Sequence, residues 1–254
     1  CFVCCGRQSG KTAAVSIKFG ERAANNPNQT ILMIAFTEKQ AYSLFFKTLV
    51  YLQAKYPKLI CLDAKRKPTK HEINLYNGSK IMCHAAGETG LGLKGYTCTS
   101  VVVDECAAMS KEIFTAVTPM LSVTKGTLDL ISTPLGKEGY FYECSDDAAL
   151  GDKIRNDFER FYISAEDCPR HSKEYLESER RSMSPLSYAR EYLAKFLDEF
   201  KRVYNEDWIK KVCTLQPPKR IDLEFKYYMG CDLARMGGDN ITLETIKKVS
   251  KQNL

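Results

Sequence analysis

Phe2-Val3-Cys4-Cys5-Gly6-Arg7-Gln8-Ser9-Gly10-Lys11-Thr12-Ala13-Ala14 sets a short apolar run, a glycine-bounded polar loop and the opening of a helix in immediate succession. Four apolar residues are too few for a buried helix and read as a strand. A loop between a strand and a helix N-terminus can wrap its backbone N–H groups around phosphates. Gly6, Arg7, Gln8, Ser9, Gly10, Lys11 and Thr12 are therefore the candidate nucleotide-binding residues, with ATP as ligand. Gly10 permits the tight turn, Lys11 supplies charge for the β and γ phosphates, and Thr12 offers a hydroxyl to Mg²⁺. Cys5 stands where the GxxxxGKT pattern has its first glycine. Arg7 is either a surface arginine or a guanidinium that reaches the γ phosphate as a finger in the same chain.

Working outward, β-branched runs alternate with amphipathic segments, which predicts a three-layer α/β fold with a mainly parallel sheet. The helix after the loop is expected to bury Ala13, Ala14 and Ile17, and Asn25-Asn26-Pro27 ends it. Residues 30–36 read as a strand. Residues 38–54 read as a helix, with Ala41, Leu44, Phe45, Thr48 and Leu52 on its buried face. Residues 73–76 and 81–85 flank Asn77-Gly78 and predict an antiparallel hairpin with an exposed tip. Strands follow at 100–104 and 127–132, with a helix between them capped by Ser110. Beyond residue 157 come a short strand and two charged helices, 172–183 and 185–197. Gln216-Pro217-Pro218 marks a linker. The expected layout is a motor domain over 1–215, a linker at 216–220 and the start of a second domain over 221–254, whose two antiparallel strands begin near Phe225 and Ile241. The pattern breaks off at both ends of the chain as though cut.

The strand Val101-Val102-Val103 ends in Asp104-Glu105, an acid pair at the carboxyl edge where ligands of such sheets bind. Asp104 is the candidate Mg²⁺ ligand. Glu105 is the candidate catalytic carboxylate, polarising water beside Lys11 for attack on the γ phosphate. Ser132 and Thr133, ending the next strand before Pro134, are placed to sense that phosphate and pass its loss onward.

The charge of +6, from 37 basic and 31 acidic side chains, permits anionic partners without identifying one. Lys65, Arg66, Lys67 and Lys70 form the candidate DNA-backbone patch, with a solvated basic loop as its alternative. Eleven cysteines, several inside apolar runs, read as reduced core thiols and a reducing compartment, and Cys1 with Cys4 reads as packing rather than zinc. Apolar runs all fall short of the ~18 residues of a membrane span, so no membrane partner is expected.

Taken in order, GRQSGKT (6–12), the Asn77-Gly78-Ser79 hairpin, GLGLKGYT (90–97), VVVDECA (101–107) and ISTP (131–134) resemble the large subunit of viral terminases, the DNA-packaging motors of tailed viruses. YAREYLAKFLDEF (188–200) resembles the segment that closes that motor. Gly230-Cys231-Asp232-Leu233-Ala234-Arg235 resembles the start of its ribonuclease H-like nuclease. The resemblance implies a P-loop (RecA-type) ATPase in which Lys11, Thr12, Arg7, Asp104 and Glu105 act as described, and Ser132 and Thr133 couple hydrolysis to DNA movement. It also implies that Asp232 is a ligand of nuclease Mg²⁺ or Mn²⁺, the remaining acids lying beyond Leu254. Lys94 stands where the family often has arginine. The implied partners are double-stranded DNA, a portal protein, a small terminase subunit and further copies in a ring, in the host cell cytoplasm. Helicases and other DNA-remodelling ATPases share the loop and the acid pair and remain the alternative, with a nucleotide-dependent kinase or switch as a third class.

Overall fold

The structure is a computed structural model that describes residues 1–87, 90–93, 95–146, 158–197, 227–232 and 242–247. The chain forms two compact units, Cys1–Lys201 and Arg202–Leu254. The linker expected at 216–220 and Lys94 lie outside the described residues.

The first unit is built on seven strands: β1 Phe2–Cys5, β2 Thr30–Ala35, β3 Glu72–Asn74, β4 Lys80–Ala85, β5 Ser100–Asp104, β6 Thr127–Ser132 and β7 Arg160–Ile163. Their order across the sheet is β3-β4-β2-β5-β6-β1-β7, and only β3 runs antiparallel to its neighbour. Helices α1 Lys11–Asn25 and α2 Glu38–Lys55 cover one face, and α3 Lys111–Val117 and α4 Gly139–Glu143 cover the other. Two further helices, α5 Lys173–Ser182 and α6 Pro185–Glu191, follow β7.

The alternation of side chains along a strand divides the core in two. Ile31 and Met33 of β2 and Val102 of β5 pack beneath α1 and α2, whereas Leu32, Ile34, Val101 and Val103 face α3 and α4. A sheet covered on both faces explains why its strands are continuously apolar.

Helix α2 buries Ala41, Leu44, Phe45, Thr48 and Leu52 as the spacing predicts, and Thr37 with Gln40 closes a capping box at its start. Helix α1 differs. Its buried face is Val15, Ser16, Phe19, Gly20 and Ala23, while Ala13 and Ala14 are exposed and Ile17 is 45% exposed. The first turn of α1 stands at the rim of a cavity that Ala13 helps to line, so the helix meets the sheet through residues one turn further along. The β3–β4 turn differs too: Asn77 Nδ2 donates to the Ala23 and Ala24 carbonyls at 2.8 and 3.1 Å, docking the turn on the last turn of α1. Strand β2 stops at Ala35 and leaves Phe36 half exposed.

Helices α1 and α2 are joined at their far ends by Glu21, which accepts from Tyr51, from Lys55 Nζ at 2.7 Å, from Tyr56 and from Asn25. The Lys55 and Tyr51 contacts lead in pulling its carboxyl from 4.5 to about 2. A carboxylate depressed in the folded state contributes stability that is present above its unfolded pKa and lost as pH falls through the folded one. Thermal melting of Glu21→Gln should therefore lie below that of the native protein at pH 7 and converge on it as pH falls from 4.5 towards 2. A constant gap across that window would show that Glu21 does not titrate there.

In the second unit, β8 Tyr227–Asp232 and β9 Thr242–Lys247 pair antiparallel, with Asp232 opposite Thr242. This places Asp232 at the carboxyl end of its strand.

Candidate nucleotide-binding site

Strand β1 delivers the loop to the carboxyl edge of the sheet between β6 and β7. Gln8 takes φ 61° and Gly10 φ 92°, and the second of these is the left-handed backbone that glycine adopts without penalty. Among the described residues the buried Ser9 hydroxyl has no hydrogen-bond partner of ordinary geometry, and the Cys5 thiol, a weak hydrogen-bonding group, lies beside it. Cys4 and Cys5 are fully buried, in keeping with their reading as packing residues.

Strand β5 presents the acid pair one strand beyond β6. Asp104 shares the parity of Val102, on the α1 side, and is only 8% exposed. Burial pushes its carboxyl up and Glu105 adds to that, against the opposing charge of Lys11. Glu105 takes φ 55°, a strained conformation for a side-chain-bearing residue, and its N–H donates to Asp104 Oδ1 at 3.0 Å. This turn breaks the strand's alternation and brings Glu105 Oε1 to 2.6 Å from Lys11 Nζ. Burial works to lower the Lys11 pKa, but Glu105 and then Asp104 outweigh it and the ammonium is held above its usual range.

The end of β6 completes the cluster. Lys11 Nζ lies 3.4 Å from Thr133 Oγ1. The Ser132 hydroxyl lies 2.9 Å from the Thr133 carbonyl and 3.4 Å from Glu105 Oε2, and accepts from Ala107 N–H at 3.2 Å. Lys11, Glu105, Ser132 and Thr133, from three separate stretches of sequence, thus form one hydrogen-bonded network.

Arg7 stands apart from that network. Its guanidinium is 68% exposed and ion-paired to Glu191, whose carbonyl also accepts Arg7 N–H at 2.7 Å and whose carboxylate accepts from Arg190 at 3.0 Å. Arg7 still lines the same cavity as Gln8, Gly10, Lys11, Thr12, Glu105, Ser132 and Thr133. That cavity has a volume of about 630 Å³, within the range of small-molecule sites. Asp104 is not on its wall. Sequence reasoning missed Lys47 of α2, Arg170 after β7 and Glu191 of α6, which also line it. They come from distant parts of the chain and carry no motif spacing.

Of the basic patch, Arg66 pairs with Asp63 and lies 5.7 Å from the Tyr76 ring, while Lys70 pairs with Glu38 at 2.8 Å at the start of α2. Lys65 and Lys67 are exposed.

Comparison with known proteins agrees with this architecture. The chain is 27% identical to the large terminase subunits of Thermus phage G20c and Thermus virus P23-45, over 80% of this chain and 47% of each relative. It therefore spans about half the length of these relatives. The ATPase domain of the Thermus phage P74-26 large terminase superposes with a TM-score of 0.63 at 25% identity, covering 77% of this chain and 88% of that one. The large terminase of a thermophilic bacteriophage in complex with ADP shares the fold, with a TM-score of 0.62 at 17% identity over 97% of this chain and 59% of its own. The family described as terminase large subunit, T4likevirus-type, N-terminal, matches residues 3–211, and to that family the chain belongs.

Proposed function

We propose that the chain is the ATP-hydrolysing motor of a terminase large subunit, which drives double-stranded viral DNA into a capsid. The observation that carries this reading is the convergence of Lys11, Glu105 and Thr133 on one cavity edge, at 2.6 and 3.4 Å from the lysine ammonium. A lysine that binds phosphate, a carboxylate able to orient water and a hydroxyl able to detect the phosphate's departure are the parts such hydrolysis needs.

In this reading the N–H groups of Gly6 to Thr12 cradle the phosphates. Lys11 leaves Glu105 for the β and γ phosphates, and Glu105 then orients the attacking water. The same exchange withdraws Lys11 from Thr133 and alters the field at Ser132, which gives β6 a route from nucleotide state to DNA movement. Arg7 acts on the γ phosphate only after leaving Glu191, so its finger role includes release from α6.

Asp104 and Thr12 offer hard oxygen donors of the type Mg²⁺ prefers, and a buried carboxylate whose charge is only partly compensated by Lys11 fits a bound cation. Bound there, Mg²⁺ supplies neutralisation of the phosphate charge. Asp232 is proposed as a nuclease ligand for Mg²⁺ or Mn²⁺ in an endonuclease that cuts concatemeric DNA. Lys65 and Lys67 are the proposed remaining DNA-backbone contacts of the basic segment, because Arg66 and Lys70 are occupied by acids. The portal protein, the small subunit, the ring of copies and the host cytoplasm rest on family membership.

The test is Mg²⁺-dependent ATP binding and hydrolysis by this chain, with and without double-stranded DNA. Binding, with turnover that rises on adding DNA, is expected. Failure to bind ATP would overturn the nucleotide reading, and turnover indifferent to DNA would overturn the motor reading.

A further inference from the structure

Four cations line the cavity, and two are already engaged: Lys11 by Glu105 and Arg7 by Glu191. Among the described residues, Arg170 has no carboxylate within ion-pair distance. Its place is nevertheless fixed, because its neighbours in sequence are tied to the phosphate loop. The Cys168 thiol contacts the Ser9 carbonyl at 3.8 Å, and His171 Nε2 donates to the Arg7 carbonyl at 3.2 Å. Between them Arg170 lies over the loop, its Nη1 3.1 Å from where a Cβ on Gly10 would stand. An unpaired guanidinium held against loop backbone on a cavity wall suits an incoming anion, and its planar fork matches phosphate oxygens.

We propose that Arg170 is a second arginine of the nucleotide site, binding the phosphate chain over the Gly10 turn from the β7 side. This rests on the reading of the cavity as an ATP site. Arg170 stands over the residue preceding Lys11 and makes no hydrogen bond or ion pair with Glu105, Ser132 or Thr133, the groups assigned to the γ phosphate. It therefore binds phosphates that ADP and ATP share, whereas a γ-phosphate sensor would separate the two.

Equilibrium binding of mant-ADP and mant-ATP with Mg²⁺ tests this on the native chain, Arg170→Ala, Arg170→Lys and Lys11→Ala, with thermal melting of each in the absence of nucleotide. Arg170→Ala should weaken both nucleotides by about tenfold, the effect of losing one charge-assisted contact, with unchanged melting because no partner is lost. Arg170→Lys should recover part of that affinity by keeping the charge without the fork. Native affinity in Arg170→Ala beside lost affinity in Lys11→Ala would overturn the proposal and leave the ATP site standing. Weakening of mant-ATP alone, or equal weakening in both Arg170 variants with lowered melting, would overturn it too. Native affinity in Lys11→Ala would overturn the ATP site itself, and Arg170's role with it.

Discussion

Glu105→Gln should slow ATP hydrolysis by about 10²–10⁴-fold, the range spanned by a general acid or base, without weakening ATP binding. The amide keeps the size of the side chain, and its oxygen can still accept from Lys11 Nζ, now 2.6 Å from Glu105 Oε1, while its NH2 takes the place of the oxygen beside Ser132 and can donate to that hydroxyl. What it loses is the charge that orients water and receives a proton. Binding should hold or tighten, because an entering phosphate competes with Glu105 for Lys11, and removing the carboxylate's charge removes the competitor and a repulsion. Lys11→Ala has the opposite signature, since the lost ammonium belongs to binding as well as to the reaction. Phosphate release and mant-ATP titration separate the two. Equal hydrolysis by native and Glu105→Gln protein would remove Glu105 from the reaction and leave the acid pair as a structural turn.

The strand–loop–helix opening, the acid pair and the hydroxyl pair were legible because each is a local pattern with a local cause. Val101 to Val103 end in acid at the carboxyl edge of the strand, where sheets of this kind bind their ligands. Helix α2 was legible for the same reason: five positions at helical spacing, all five buried. The face of α1 was not, because Ala13, Ala14 and Ile17 have apolar spacing but lie on the exposed face, Ala13 at the cavity rim, whereas Val15, Phe19 and Ala23 reach the sheet. Asn77 read as a solvent-facing turn residue, yet its amide satisfies the last carbonyls of α1, a long-range pairing with no trace in sequence spacing. Glu105's return towards Lys11 likewise depends on one residue at φ 55°, which strand periodicity cannot foretell. Arg170, Lys47 and Glu191 were invisible for a topological reason. They reach the loop only because β2 and β7 flank the catalytic strands on opposite sides of the sheet.

Gly6→Ala should be the most damaging single methyl addition in the site, costing about 2–4 kcal/mol from overpacking and a broken hydrogen bond. Positive φ is not the reason, since Gly6 has none; the reason is proximity. A Cβ there would stand 2.4 Å from the Tyr192 carbonyl oxygen and 3.1 Å from Ala165 N, two atoms that already bond each other at 2.7 Å. The Gly6 N–H in turn donates to Ile163 O at 2.9 Å, so the exit of β7, the residue after α6 and the phosphate loop meet at this point. A methyl must push the Tyr192 and Ala165 backbone away together. It would thereby loosen the path that carries Cys168, Arg170 and His171 onto the loop and Glu191 onto Arg7. Melting temperature should fall by several degrees, at roughly 2–4 °C per kcal/mol for a unit of this size, and nucleotide affinity should fall with it. Gly92→Ala, where an added Cβ has no atom within 4 Å, is the control and should stay within about 0.5 kcal/mol of native. If Gly6→Ala melted with Gly92→Ala, the closing segment would not be seated on the loop in solution, and Glu191 could not hold Arg7 there.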